Sequence, residues 1–191
     1  MDCSAVSPLM TGISENTAVG IEDFDAVLRL YRLKIFRFIL ASLRDTDAAE
    51  TLTQDCFFKA YQARERFRRE CSLDTWLMQI AVNLVRDYGR NRRLQFWKRR
   101  IAPHPTDNMQ DWLSDPQRSP EVKALLKQEV AAVWDAARSL PERQRTVFLL
   151  RFVEDMELQE IAAATGLKVG TVKAHLFRAL HAVRERMGVG Q

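Results

Sequence analysis

The chain has 191 residues, with 29 Lys and Arg against 25 Asp and Glu and a formal net charge of +4. That length holds one large core or two small ones, and so slight a charge excess excludes a protein that coats nucleic acid by bulk charge. No run of some eighteen apolar residues occurs, so no membrane span and no direct membrane insertion are expected.

Residues 1–20 lack the basic start and apolar centre of a secretory signal, and are aperiodic and rich in small polar residues; they are expected to form a disordered extension. A first helix follows from Phe24, Val27, Leu28, Tyr31, Ile35, Phe38, Ile39 and Leu43, which recur at spacings of three and four. Asp47 to Ala63 reads as a second helix, with Leu52, Cys56 and Ala60 at spacing four. The loop RERFRREC, Arg64 to Cys71, leads to a third helix that Ser72 is placed to cap.

That third helix is the most informative stretch. Leu73, Trp76, Leu77, Ile80, Ala81, Leu84, Val85 and Tyr88 share one face. From Arg86 to Arg100 the chain then carries Arg86, Arg90, Arg92, Arg93, Lys98, Arg99 and Arg100 against the single acid Asp87. Tyr88, Phe96 and Trp97 are interleaved with these cations. Cations attract phosphates, and rings offer platforms for unpaired bases. Elsewhere acidic and basic residues nearly balance, so the positive charge is local, as a specific site requires.

Pro103, Pro105, Pro116 and Pro120 fall close together with Asp107, Asp111 and Asp115, and mark an acidic linker. Ser119-Pro120-Glu121 starts another helix, built on Val122, Leu125, Leu126, Val130, Val133 and Trp134. Pro141 opens the next, with Val147, Phe148, Leu150 and Phe152.

Met156 to Leu180 reads as a helix-turn-helix. Glu157 to Ala164 is a short helix with Leu158, Ile161 and Ala162 inward. Gly166 permits the positive φ of a tight turn, and Leu167 closes the small core. Val172, Leu176, Ala179, Leu180, Val183 and Met187 form the inner stripe of the second helix. Its outer face shows Lys168, Thr171, Lys173, His175 and Arg178, a set suited to a major groove.

No strand pattern appears, so the fold is expected to be all-α: two small helical domains joined by a flexible linker. The boundaries expected are 21–97 for the first domain, 98–119 for the linker and 120–188 for the second. Cys3, Cys56 and Cys71 are odd in number and widely spaced, which fits no disulfide framework and no metal-ligand pattern, and points to a reducing cytosol. No Ser/His/Asp, Cys/His or carboxylate-metal constellation converges, so no catalytic residue, metal or cofactor is expected, and an enzyme is the weakest reading.

Two blocks give the arrangement a family resemblance. They are DAAETLTQDCFFKAY (Asp47 to Tyr61) with FRRECSLDTWLMQIAVNLVRDYGRNRR (Phe67 to Arg93), and LPERQRTVFLLRFVEDMELQEIAAATGLKVGTVKAHLFRAL (Leu140 to Leu180). In this order around a short linker they resemble the extracytoplasmic-function (ECF) group of the sigma-70 family of bacterial RNA polymerase sigma factors, over nearly the full chain. The resemblance implies a cytoplasmic, non-enzymatic protein that binds core RNA polymerase and directs it to promoters, helping to melt the minus-ten region. It implies polymerase docking through Glu50, Gln54, Asp55 and Phe58. It implies contact with the melted minus-ten element by Phe67, Arg68, Asn83, Arg86, Arg90 and Arg93, Asn83 lying on the exposed side of its helix. It implies contact with the duplex minus-thirty-five element by Lys168, Thr171, Lys173, His175 and Arg178, with Arg143 and Arg151 clamping phosphates. It also implies an anti-sigma factor as a partner. The chain departs from the family pattern at Thr51, where an acid is usual, and at Ala174-His175, where Ser-Arg is common.

One alternative competes. Words such as TVKAH and EIA occur also in stand-alone DNA-binding regulators of the LuxR type, a reading that explains Leu140 to Met187 but leaves the basic, aromatic first half without a role.

Overall fold

The computed structural model describes residues 21–98 and 133–188, with side chains 92–98 outside the description. The expected 1–20 extension, the 98–119 linker beyond its first residue, and the helix start at Ser119-Pro120-Glu121 lie outside these residues. All regular structure among the described residues is helical, as the periodicity predicts. In chain order it comprises α1 (Phe24–Leu43), α2 (Thr46–Ala63), a 3-10 turn (Arg64–Arg66), α3 (Leu73–Lys98), α4 (133–138), α5 (Glu142–Phe152), α6 (Leu158–Thr165) and α7 (Val169–Arg186).

Local chemistry sets the helix ends. Asp23 Oδ1 accepts from the Ala26 amide at 3.0 Å, Asp45 Oδ1 from Ala48 at 3.0 Å, and Ser72 Oγ from Thr75 at 3.1 Å. Each satisfies a donor that a helix start otherwise leaves without a partner. Arg44 takes the left-handed conformation, φ 55°, at the end of α1, and Asp45 begins the next cap at once. A two-residue corner thus turns α1 back along α2.

In the first half, α1 supplies Val27, Ile35, Phe38 and Ile39 to the core, α2 supplies Leu52 and Cys56, and α3 supplies Leu77 and Ala81. In the second half, Val147, Leu149 and Leu150 of α5 pack with Ile161 of α6 and Val172 and Ala179 of α7. Burial pushes the Cys56 thiol up to about 12 against the weaker opposing pull of Lys59, consistent with a structural rather than reactive cysteine.

The two halves touch. α5 packs on α1 and α6 packs on α3, so the two cores run together. The burial of α3 also extends beyond the stripe read in the sequence. Met78 and Val82 are also buried. With Val85 and Gly89 they form a second face at spacings of four, three and four, and Val85 and Gly89 line the cleft shared with the second half. A stripe sized for one neighbour misses part of a helix that packs on α1, α2 and α6.

Candidate nucleic-acid interface

The start of α3 carries an aromatic pair. Phe67, in the loop after the 3-10 turn, lies with its ring centroid 4.9 Å from that of Trp76, tilted by 38°. Trp76, expected in the core, is half-buried and carries Phe67 on its face. Asn83 lies seven residues along α3, about 10 Å further on. It is half-buried rather than exposed, and its Oδ1 accepts from Arg86 Nη2 at 2.7 Å. Its amide N–H groups make no hydrogen bond among the described residues, which leaves a donor pair for a base edge. Arg90 is exposed and lies 3.3 Å from Asp87. Arg68 is exposed, 3.9 Å from Glu70. The Arg93 side chain lies outside the described residues.

The second cluster is the helix-turn-helix. Gly166 has φ 70° and its amide bonds the Ala162 carbonyl, closing α6. Glu160 Oε2 accepts from the Glu157 amide at 2.8 Å at the start of the same helix. The turn then sets α7 across α6, with Val172, Ala179 and Val183 buried and Leu176, Leu180 and Met187 half-buried, as the stripe predicts. Lys168, Thr171, Lys173 and Arg178 are exposed, and their side chains make no hydrogen bond or ion pair among the described residues. An exposed cationic face without internal partners can give its charges to phosphates.

Two predicted residues of this cluster behave differently. His175 is half-buried, and its Nδ1 is buried without a hydrogen-bond partner. Burial, then Arg178 and Arg143, hold its pKa below the ordinary 6.5, so at pH 7 it offers a neutral imidazole. Arg151 turns inward: Nη1 donates to the Met156 carbonyl at 3.0 Å and lies 3.7 Å from Asp155 and 3.5 Å from Glu157. It braces the loop between α5 and α6, because that loop wraps back over the end of α5 and offers it a carbonyl and two carboxylates. Arg143 is exposed.

On α2, Glu50, Gln54, Asp55 and Phe58 are all exposed, Phe58 by 62%. The burial of Leu52, Cys56 and Ala60 on the opposite side forces them outward. Arg64 extends this surface by stacking over the Tyr61 ring at 3.9 Å.

Sequence reasoning missed the residues that join the halves. Arg37 of α1 pairs with Glu154, a buried carboxylate, and Arg44 donates to the Trp134 carbonyl. Nothing in periodicity marks an arginine on α1 as the partner of an acid more than a hundred residues away. Among the described residues there is no cluster able to hold a metal ion, and no helix long and apolar enough to cross a membrane.

Family models cover the stretches that hold both clusters. The family model of sigma-70 region 2 matches residues 27–95, and that of sigma-70 region 4 matches residues 131–183. The chain is 32% identical over 164 residues to the RNA polymerase sigma-H factor of Pseudomonas aeruginosa, covering 84% of this chain and 83% of that one. It is 26% identical over 170 residues to the ECF RNA polymerase sigma factor SigW of Bacillus subtilis, covering 88% and 91%. The fold matches the sigma factor RpoE solved with the anti-sigma factor NepR from Bartonella quintana, with a TM-score of 0.71 and 22% identity over 89% of this chain and 99% of that one. It also matches CnrH, solved with the cytosolic domain of CnrY, with a TM-score of 0.62 and 18% identity over 91% and 92%. The region 2 match covers the half that a LuxR-type regulator leaves unexplained, and that alternative is not favoured. The chain belongs to the ECF group of the sigma-70 family and is an RNA polymerase sigma factor that directs promoter-specific transcription.

Proposed function

We propose a division of labour in which α2 docks on core RNA polymerase, the Phe67 loop and α3 hold the melted minus-ten element, and α7 reads the duplex minus-thirty-five element. The observation that carries this reading is the outward set Lys168, Thr171, Lys173 and Arg178, which no described residue neutralises. Opening DNA costs a few kcal/mol per unstacked base. Stacking a base on an aromatic side chain returns roughly 1–3 kcal/mol, and Phe67 backed by Trp76 supplies such a surface at the loop where α3 begins. Asn83 selects among bases by its free amide donors, while Arg86 and Arg90 hold phosphates. The acids Glu50 and Asp55 around Phe58 fit a basic partner surface with an apolar centre.

The chain does no chemistry of its own; the polymerase supplies it, and the protein works in the cytoplasm. An anti-sigma factor is its proposed restraint, since the sigma factor RpoE was solved with the anti-sigma factor NepR.

The test is run-off transcription with sigma-free bacterial core polymerase on a promoter library. Initiation at a defined subset of sequences is expected. Initiation at none would overturn the proposal. Tight binding to duplex DNA by the chain alone would favour a stand-alone regulator instead.

A further inference from the structure

We propose that Arg69 is a further phosphate-binding residue of the minus-ten site, held in a backbone conformation that disfavours it, and that Glu22 occupies its guanidinium until a strand of opened DNA displaces it. This role rests on the minus-ten reading above. Arg69 has φ 57°, in the left-handed region that glycine enters freely and other L-residues enter only at a cost. Arg44 and Asp155 are the other described non-glycine residues with positive φ, and each has a local reason. Arg44 ends α1 at the corner into α2 and donates to the Trp134 carbonyl. Asp155 belongs to the short polar class that visits this region most readily. Arg69 has neither reason. Its side chain is 69% exposed, and Nη2 donates to Glu22 Oε1 at 3.0 Å, on a side chain itself 72% exposed. So exposed a pair adds little to folding. The strain at Arg69 is therefore not explained by stability, and strain of that kind gathers at functional sites.

Its position supplies the reason. Arg69 lies two residues beyond Phe67, whose ring stands on Trp76, so the two Cα atoms are at most about 7 Å apart. A base stacked on Phe67 brings its own phosphates within reach of a side chain as long as arginine. Arg68, between them, is exposed and lies 3.9 Å from Glu70. The loop thus presents two adjacent guanidiniums, each beside one exposed carboxylate. Carboxylate and phosphate oxygens accept from the same forked donor, so Glu22 marks where a strand phosphate binds. Glu22 precedes Asp23, the cap of α1, and lies outside every helix, so its side chain can turn to water with no helix disturbed.

Substitutions here differ in sign. Arg69→Gly removes the strain and the charge together, so the fold is stabilised while strand binding weakens. An arginine kept for structure would weaken both. Arg69→Lys keeps the strain and the charge. Glu22→Gln frees the guanidinium and tightens strand binding, a gain that requires Arg69.

The experiment assembles the full chain with core polymerase and measures binding of a single-stranded oligonucleotide that carries the minus-ten element of a promoter selected in the run-off library, at several salt concentrations. Thermal melting of each free chain runs alongside. Arg69→Gly is expected to melt at the wild-type midpoint or up to roughly 2–4 °C above it. It is expected to bind the strand roughly three- to tenfold more weakly, with the slope of log affinity against log salt shallower by about 0.7. Arg69→Lys is expected to keep the wild-type slope. Glu22→Gln is expected to bind roughly twofold more tightly, and to add nothing when combined with Arg69→Gly. Unchanged strand affinity and slope in Arg69→Gly, or a midpoint below that of wild type, overturns the role of Arg69. A gain from Glu22→Gln that persists without Arg69 overturns the exchange of carboxylate for phosphate. Failure of the wild-type complex to hold the strand overturns the minus-ten reading itself, whereas a wild type that binds beside an unaffected Arg69→Gly sinks the role of Arg69 alone.

Discussion

Arg86 Nη2 donates to Asn83 Oδ1 across 2.7 Å, one turn apart on α3. The bond fixes the amide so that its N–H groups, and not its carbonyl, are left to meet a base. Asn83→Asp keeps the acceptor for Arg86 but deletes the donors. It should change minus-ten base preference with a change in overall promoter affinity of less than about threefold. Arg86→Ala should instead weaken all promoters alike and make the salt dependence shallower by about one phosphate contact. Binding measured on a panel of minus-ten variants at several salt concentrations separates the two, and equal weakening of every promoter by Asn83→Asp would show a positioning residue only.

Phe67 stands on Trp76 at a loop, with one side of its ring against the protein. Phe67→Ala should slow strand opening by an amount equivalent to one lost stacking contact, roughly 1–3 kcal/mol. Docking on the polymerase should be unaffected, because α2 lies elsewhere on the bundle. A fluorescent base analogue in the minus-ten strand reports opening. Unchanged opening kinetics would remove Phe67 from the site.

His175 carries a pH prediction. Burial, followed by Arg178 and Arg143, lowers its pKa below 6.5, so near pH 6 the folded chain binds fewer protons than the unfolded one. The stabilising contribution is whole above pH 6.5 and is lost as pH falls through the lower folded value. Denaturation midpoints should therefore decline between pH 7 and pH 5.5, with a smaller decline in His175→Gln. A proton NMR titration of His175 should place its midpoint below 6.5, and a midpoint above that value would reverse the sign.

Gly166 is required by backbone conformation rather than by crowding. Its φ is 70°, yet a Cβ there would meet nothing within 4 Å. Gly166→Ala should cost about 1 kcal/mol, the left-handed penalty of an L-residue less the entropy removed from the unfolded chain. Minus-thirty-five binding should survive at temperatures below the lowered melting point. A loss of binding with no loss of stability would point to direct DNA contact at the turn.

The amino-acid sequence by itself determined the helices, their caps and the residues facing outward, because each follows from short-range rules. The periods of three and four that bury Leu77 and Ala81 in α3, the Ser72 cap, and the glycine at the turn before α7 are all set within a few residues. The same rules turned Phe58 and Lys173 outward, since their neighbours at helical spacing had to go in. The halves' docking was decided only by the tertiary structure. It seats Glu154, a buried carboxylate, on Arg37. The reason is that charge is mute about its partner: an arginine reads the same in a sequence whether a carboxylate 117 positions away or a passing phosphate completes it, and only packing of the two cores brings one of them within reach.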